Sequence, residues 1–571
     1  MEKIKKIKRL ILKEKIDGYF IPKNDEFFGE YVSDYNDRLN FISNFSGSYG
    51  FSLILKNKNY LFVDGRYTLQ AKYESGKFFN IIKLEKKLPL EIQSKKIKIG
   101  FDPKLITRKT LNFFFNNKNC IPQPLQQNLI DVIWKRKVYN NKKKFYCLPK
   151  QFTGQDFRIK IKKVVKYLRK IGADYLFVTA SENNAWLLNI RGKDTKFSPI
   201  PHCYILIDKN ENIKFFCSLK KITTSFKKKF HKIKFFQIND LNKILSSINK
   251  KKFIIDRHTC SYYFEDLITK KNYVLNFQDP IYDFKSVKNN IEIRNIKKAH
   301  IYDGAALTKY LFWLRRNFEK RKITEISAAK KLYEFRKKNN CFKFLSFPTI
   351  SGSGPNGAII HYNATKKTNR ILNKGDIYLV DSGGQYKFGT TDVTRTVSLK
   401  NYNKRIKKIF TTVLKGHIAV TNFKLKKNTT GSSIDKKARK YLQQKNLDYA
   451  HGTGHGVGYF LNVHEGPHAI SKNNKIVFKE GMIVSNEPGY YEKNKFGVRI
   501  ENLIYVKKDK KKLIFDNLTM APIDKNLIDL NMLSTNEKLW LNSYHKKVFE
   551  SLKKLMNFNE KNELEKACSA V

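Results

Sequence analysis

The 571-residue sequence contains no CxxC pair. Its seven cysteines, at positions 120, 147, 203, 217, 260, 341 and 568, are odd in number and scattered. Neither a disulfide framework nor a zinc knuckle is therefore indicated, and a reducing, cytoplasmic setting is expected. No run of about 20 apolar residues exists, so no membrane span is expected. The opening stretch MEKIKKIKRLILKEKIDGYF has charges interrupting every apolar segment and no small-residue cleavage site. It reads as an amphipathic helix with Ile4, Ile7, Leu10 and Ile11 on one face, not as a signal peptide. Long Gly/Ser or Pro-rich linkers and short-period repeats are lacking too.

Acidic residues are also scarce. There are 50 Asp+Glu against 113 Lys+Arg, a formal net charge of +63. That balance invites a polyanion partner. Its make-up argues otherwise, because 94 of the basic residues are lysine, only 19 are arginine, and they run through the whole chain. Arginine has the planar fork that pairs with phosphate oxygens, whereas lysine is a solvated point charge. The abundance of Asn, Ile, Phe and Tyr alongside Lys fits an AT-biased coding preference. No specific nucleic-acid partner and no membrane partner are expected.

The chain also holds 41% hydrophobic and 13% aromatic residues, which excludes a disordered or collagen-like protein. At roughly 100–200 residues per domain its length suggests about three to five domains. Residues 1–150 alternate helical and strand patterns, with DGYFIP as a short buried strand and SLILKNKNYLFVDG as a hairpin turning near Asn57. A second segment, 151–287, repeats that grammar. KIKKVVKYLRKIGADYLFVTA reads as helix, turn and strand, CYILIDKNENIKFFC as a hairpin, and KKFIIDR as a strand. From about 288 to 511 the texture changes to longer helices, one with Thr324 as N-cap and Glu325 in its first turn, and to Gly-rich, Lys-poor loops. A tail, 512–571, lacks glycine and ends in a charged, helix-like stretch.

Six of the eleven histidines (His361, His417, His451, His455, His464, His468) lie between 361 and 468, beside acids in strand-like surroundings. Asp381 ends an apolar run, and Asp392 follows across a Gly-rich turn, so two antiparallel strands could place both carboxylates together. Glu487 follows another apolar strand, and Glu501 is expected within a strand. Between the two pairs, HGTGHGVGYFLNVHEGPH supplies His451, His455 and His464. Carboxylates in apolar strands are costly unless paired or bound to cations, and several in one cavity repel each other. Two divalent cations would resolve this, and oxygen ligands with one histidine favour Mn, Co, Fe or Zn. Taken singly, each of these residues reads equally well as a turn-former or a packing group; their joint occurrence carries the reading.

DSGGQYKFGTTDVTRT, HGTGHGVGYFLNVHEGP, SNEPGYYE and FGVRIEN resemble the signature segments of the aminopeptidase P family. GPNGAIIHYNAT, DRLNFISNFSGSYG, LFVDGRYTLQA, NNAWLLNIRG, LTMAPIDKNLID and WLNSYH extend the resemblance along nearly the whole chain, to the long, three-domain cytosolic type. It implies an α/β (α+β) architecture. Two creatinase-like N-terminal α/β domains (1–150 and 151–287) would precede a pita-bread metallopeptidase domain (288–511) and a C-terminal extension (512–571). It also implies five metal ligands, Asp381, Asp392, His455, Glu487 and Glu501, holding two divalent ions. Manganese is the usual metal, with zinc or cobalt as alternatives. Glu487, His361 and His464 would be catalytic, and His361, His451, His464, Arg499 and Tyr491 would bind substrate, with His451 on the proline side. The sequence departs from the family pattern at Gly384 and Phe388, in the turn between the two aspartates.

The activity implied is hydrolysis that releases the N-terminal residue from peptides with proline second, by attack of a metal-bridging hydroxide. The family's architecture suggests a homodimer. Two alternatives remain open at this stage: a prolidase cutting only Xaa-Pro dipeptides, and a non-catalytic binding protein on the same scaffold.

Overall fold

The computed structural model describes residues 2–84, 96–116, 119–136, 141–400 and 403–571. The chain divides into two compact units, Met1–Tyr282 and Asp283–Val571.

The first unit holds two six-stranded mixed sheets of the same design. In the first, the strand order is Asn80–Lys83, Asn59–Val63, Gly50–Leu55, Gly18–Pro22, Ile97–Phe101, Cys120–Pro124. In the second it is Ile233–Phe236, Ile213–Phe216, Tyr204–Asp208, Tyr175–Val178, Lys252–Ile255, Tyr273–Val274. Read in that order, both sheets pair parallel, antiparallel, antiparallel, parallel, parallel. The grammar shared by the two sequence segments is thus one topology used twice.

Local sequence accounts for the elements. Helix Glu2–Lys13 buries Ile4, Ile7 and Ile11 and leaves its lysines outside, as a 3.6-residue period requires. The antiparallel hairpins turn at 56–58 and at 209–212, where Lys, Asn and Glu replace apolar residues. Helix Phe157–Lys170 starts at an Asp156 side chain that accepts the Arg158 N–H. It buries Ile161, Val164, Val165 and Leu168.

In the second unit, two helix pairs back a set of antiparallel strands. Helix Asn290–Asn317 begins in a capping box between Asn289 and Glu292, and helix Glu325–Lys337 follows from Thr324. Arg336 and Asp303 join this pair through a buried two-point ion pair, with Nε and Nη2 at 2.8 and 3.0 Å from the carboxylate oxygens. Helices Lys404–Thr421 and Gly431–Gln443 form the other pair. Strands Ile350–Ser353, Ile377–Ser382 and Val393–Ser398 make one sheet. Glu465–Ile470, Gly454–Gly456, Ile483–Asn486, Asn502–Asp509 and Lys512–Asn517 make a second. Helices Thr535–Leu552 and Phe558–Cys568 close the unit. Leu541, Tyr544, Val548 and Leu552 of the first join a core shared with Phe410, Leu414 and Val498. Among the described residues, no helix is long and apolar enough to cross a membrane.

Candidate metal centre

Strand register brings the two aspartates together. Asp381 lies opposite Thr394 on the antiparallel strand Val393–Ser398, and Asp392 immediately precedes that strand. The connection between them is more than a turn. Its segment Gly384–Tyr386 pairs on one side with Gly389–Thr390 and on the other with Phe342–Leu345 as a small separate sheet. Both departures from the family pattern lie in this excursion. A Cβ at Gly384 would meet the Phe342 ring at 2.9 Å. Phe388 is buried, 6.3 Å from the Tyr302 ring and under the Lys298 ammonium at 5.6 Å.

The second half of the site hangs on the five-stranded sheet. His455 sits in the middle of Gly454–Gly456, and Glu487 directly follows Ile483–Asn486. The two segments approach so closely that a Cβ at Gly454 would lie 1.8 Å from the Ser485 carbonyl oxygen. Ser485 Oγ accepts the His455 N–H at 2.9 Å and donates to Glu487 Oε1 at 3.2 Å. Glu501 departs from the expectation of a mid-strand residue. It stands between Phe496–Arg499, which pairs with Gly489–Glu492, and Asn502–Asp509, which pairs with Ile483–Asn486. The apolar alternation Phe496, Val498, Ile500 lapses at Asn502, where the chain changes partner strands.

One ligand atom each from Asp392, His455 and Glu501 lie within 4.8 Å of one another. His455 Nε2 is 3.3 Å from Asp392 Oδ2 and 3.6 Å from Glu487 Oε1. Thr394 Oγ donates to Glu501 Oε2 at 2.8 Å and accepts from Arg499 Nε at 3.1 Å. Arg499 Nη2 donates to Asp381 Oδ2 at 2.7 Å. The other oxygen of Asp381, Oδ1, is buried and has no hydrogen-bond partner. Burial raises the proton affinity of all four carboxyls, and their mutual repulsion adds to the rise in Asp381, Glu487 and Glu501. An orphaned buried oxygen among four crowded acids and an imidazole is the environment a divalent cation stabilises, so this donor set fits a metal centre.

The outer residues surround this cluster. The His464 ring is 4.3 Å from that of His455, nearly perpendicular to it. His451 Nδ1 lies 2.7 Å from the Gly452 carbonyl and Nε2 2.9 Å from Tyr491 Oη, and Arg499 Nη1 donates to the same Tyr491 oxygen at 2.6 Å. His361 is half-buried beside Ile360, whose carbonyl accepts from Arg499 Nη2 at 3.4 Å. The remaining two histidines of the cluster brace the strand that leads to Glu487. His417 Nδ1 is 3.1 Å from the Asn486 carbonyl, and His468 Nε2 is 2.7 Å from that of Ile483. Burial pushes them down to about 3 and about 4, so both are neutral donors.

Several supporting residues escape a sequence reading. Glu325, recognisable beforehand only as a first-turn acid, is buried. It accepts from Ser353 N, Asn356 Nδ2, Tyr362 Oη and Arg370 N at 2.8–3.0 Å, gathering the loop that carries His361. Glu465 is held between the buried ammonium groups of Lys285 and Lys288 at 3.2 and 2.6 Å, next to His464. Buried Arg395 donates to the carbonyls of Glu501, Ala521 and Pro522 and to Tyr544 Oη, all at 2.6–3.0 Å. The only prior signal for Arg395 was a charged residue inside an apolar strand.

The chain matches four family descriptions in series. Residues 3–121 and 136–292 each match the creatinase/prolidase N-terminal domain, 294–508 metallopeptidase family M24, and 511–571 the C-terminal region of that peptidase. A probable Xaa-Pro aminopeptidase P of Laccaria bicolor is 37% identical, with 97% of this chain and 91% of that protein covered. The crystal structure of an X-prolyl aminopeptidase from Caenorhabditis elegans, described as a cytosolic enzyme with a di-nuclear active site, superposes with a TM-score of 0.94. It is 29% identical, with 100% of this chain and 99% of that one covered. A Xaa-Pro dipeptidase from Bacillus anthracis shares the fold of 65% of this chain, at 99% coverage of its own, with a TM-score of 0.54 and 23% identity.

Proposed function

This chain belongs to metallopeptidase family M24, in its Xaa-Pro aminopeptidase P branch, and we propose that it releases the N-terminal residue from peptides with proline in second place. The observation that carries the reading is the Asp392–His455–Glu501 convergence, with Asp381 and Glu487 beside it and an unpartnered carboxylate oxygen inside. Asp381, Asp392, His455, Glu487 and Glu501 would hold two divalent cations, with manganese first and zinc or cobalt as alternatives. Such cations, when bound, supply Lewis acidity that polarises a carbonyl and makes a water molecule more acidic.

The chain's own groups divide the remaining work. Glu487, tied at Oε1 to Ser485 and through its N–H to the Thr453 carbonyl at 2.8 Å, is placed to accept the nucleophile's proton and pass it to the leaving nitrogen. His464, against His455, and His361, on the loop gathered by Glu325, would donate to the scissile carbonyl as negative charge builds there. His451 and Tyr491 would line the pocket for the proline ring. That ring brings no N–H and a fixed φ, so it is recognised by shape. Arg499 orients Asp381 and, through Thr394, Glu501.

The domain division proposed with this function is 1–150, 151–287, 288–511 and 512–571. A homodimer in the cytoplasm accompanies it. The aminopeptidase reading is favoured over a prolidase because the relatives matched over nearly their whole length and this chain's are described as Xaa-Pro or X-prolyl aminopeptidases. The test is release of the first residue from Arg-Pro-Pro, with and without added manganese, against hydrolysis of Gly-Pro. Cleavage of the dipeptide alone would replace this reading with a prolidase.

A further inference from the structure

Helix Gly431–Gln443 carries a buried ion pair that none of the roles above uses. Asp435 and Arg439 stand one turn apart beside the apolar stripe Ile434, Ala438, Leu442, and both are nearly inaccessible. Arg439 Nε donates to Asp435 Oδ2 at 2.8 Å. Its other nitrogens are spent on one short loop. Nη1 reaches Asp448 Oδ1 at 2.6 Å and the Tyr449 carbonyl at 2.8 Å, and Nη2 reaches the His451 carbonyl at 2.6 Å. The guanidinium also lies 3.9 Å from the Tyr449 ring centroid, and that ring is 4.8 Å from the His451 imidazole. Asp435 Oδ1 takes the Thr453 hydroxyl at 2.6 Å, and the Thr453 carbonyl takes the Glu487 N–H.

The grip extends inward. A carbonyl beside His451 Nδ1 takes the proton on that nitrogen, and in the neutral ring Nε2 is then the acceptor of the Tyr491 hydroxyl. The Tyr491 oxygen in turn accepts from Arg499, which holds Asp381. A continuous set of contacts therefore joins the outer helix to the metal centre, with His451 at its middle.

We propose that Arg439 is a positioning residue for substrate selection: by clamping residues 448–451 it holds the His451 imidazole as an acceptor facing Tyr491 and so shapes the pocket that receives the proline ring. The proposal rests on the Xaa-Pro reading above. Its physical basis is the fork geometry of arginine, which serves three acceptors on one loop while stacking on a ring, a combination lysine lacks.

The test is a double-mutant cycle of Arg439→Lys and His451→Phe, with Arg-Pro-Pro as substrate and Pro-Pro as a product ligand measured by calorimetry. Arg439→Lys should raise KM and the Pro-Pro Kd about tenfold, with kcat within about twofold and the bound-metal count unchanged. The double variant should lose little more kcat/KM than His451→Phe alone, because both changes disturb one contact. Additive losses, a fall in kcat at unchanged KM, or unchanged KM and Kd would each overturn the proposal. Should Arg439→Lys fail to fold, Asp435→Asn, which removes the charge behind the clamp, carries the same expectations. A wild-type protein that neither cleaves Arg-Pro-Pro nor binds Pro-Pro would refute the activity reading itself, and the proposal with it. Active wild type with an additive cycle refutes the proposal alone.

Discussion

Arg499 Nη2 stands 2.7 Å from Asp381 Oδ2, while Oδ1 of the same carboxylate is buried with no protein partner. The protein satisfies one oxygen and leaves the other unpartnered in the interior. This split explains how a carboxylate inside an apolar strand is held in one orientation while keeping a lone pair for a cation.

Removing that anchor should disable the site. Arg499→Met is expected to lower kcat/KM on Arg-Pro-Pro by about 100-fold or more, the scale of losing one charge-stabilising group. Arg499→Lys should recover only part, since one ammonium cannot serve Asp381, Thr394 and Tyr491 together. Steady-state kinetics checks this, and full activity of the methionine variant would contradict it.

Cation binding should stabilise the fold as well as activate it. Adding manganese at about 100 times its Kd is expected to stabilise the native state by about 2.7 kcal/mol per site, seen as a rise in melting temperature. In Asp392→Asn and Glu501→Gln the rise, the bound-metal count and the activity should fall together, while circular dichroism still reports a folded protein. A variant that keeps its full metal complement would remove that residue from the ligand set.

The two bracing histidines give a pH dependence with a definite sign. His417, facing Arg395, and His468, facing Lys288, Glu465 and His455, are held neutral in the fold down to about 3 and about 4. In the unfolded chain each takes a proton near its ordinary value of about 6.5. The unfolded state therefore binds more protons below that value, and stability is full above about pH 6.5 and lost as pH falls. Between pH 6.5 and 4 the wild type should lose about 3 kcal/mol more than His417→Gln in urea unfolding. Parallel curves would show that His417 does not titrate on unfolding.

Gly454→Ala tests the close approach beneath His455. A methyl group 1.8 Å from the Ser485 carbonyl oxygen must push two strands apart, one carrying His455 and the other leading to Glu487, both proposed ligands. Activity should fall to background, with a destabilisation of about 1–3 kcal/mol typical of overpacking. A variant with normal kcat would mean that the ligand geometry tolerates the shift.

How much of this was legible beforehand divides along a physical line. Asp381 and Glu487 could be found because an acid following an apolar strand breaks a pattern, and Asp392 because a Gly-rich turn brings it back toward Asp381. His417 and His468 belonged to the same histidine-rich stretch but turned out to brace backbone carbonyls, since residue type alone does not reveal what an imidazole faces. Glu325, Arg439 and Arg395 were hidden for a different reason. Each sits in an ordinary helix or strand and acquires its role only from partners 26–149 residues away or on a neighbouring loop. Glu501 was found as an acid but misplaced within its element, because one polar residue, Asn502, is all that marks the change of partner strands.

The partners of Arg395 have a consequence in time. Apart from the Thr394 carbonyl on its own strand, its guanidinium is satisfied by Glu501, Asn502, Ala521, Pro522 and Tyr544, all later in the chain. A charged group cannot be sealed into that interior before those acceptors exist. During synthesis, which proceeds from the N-terminus, the catalytic strand must wait for residue 544 to clear the ribosome. A nascent chain therefore cannot close the interior around Arg395 until helix Thr535–Leu552 has begun to emerge.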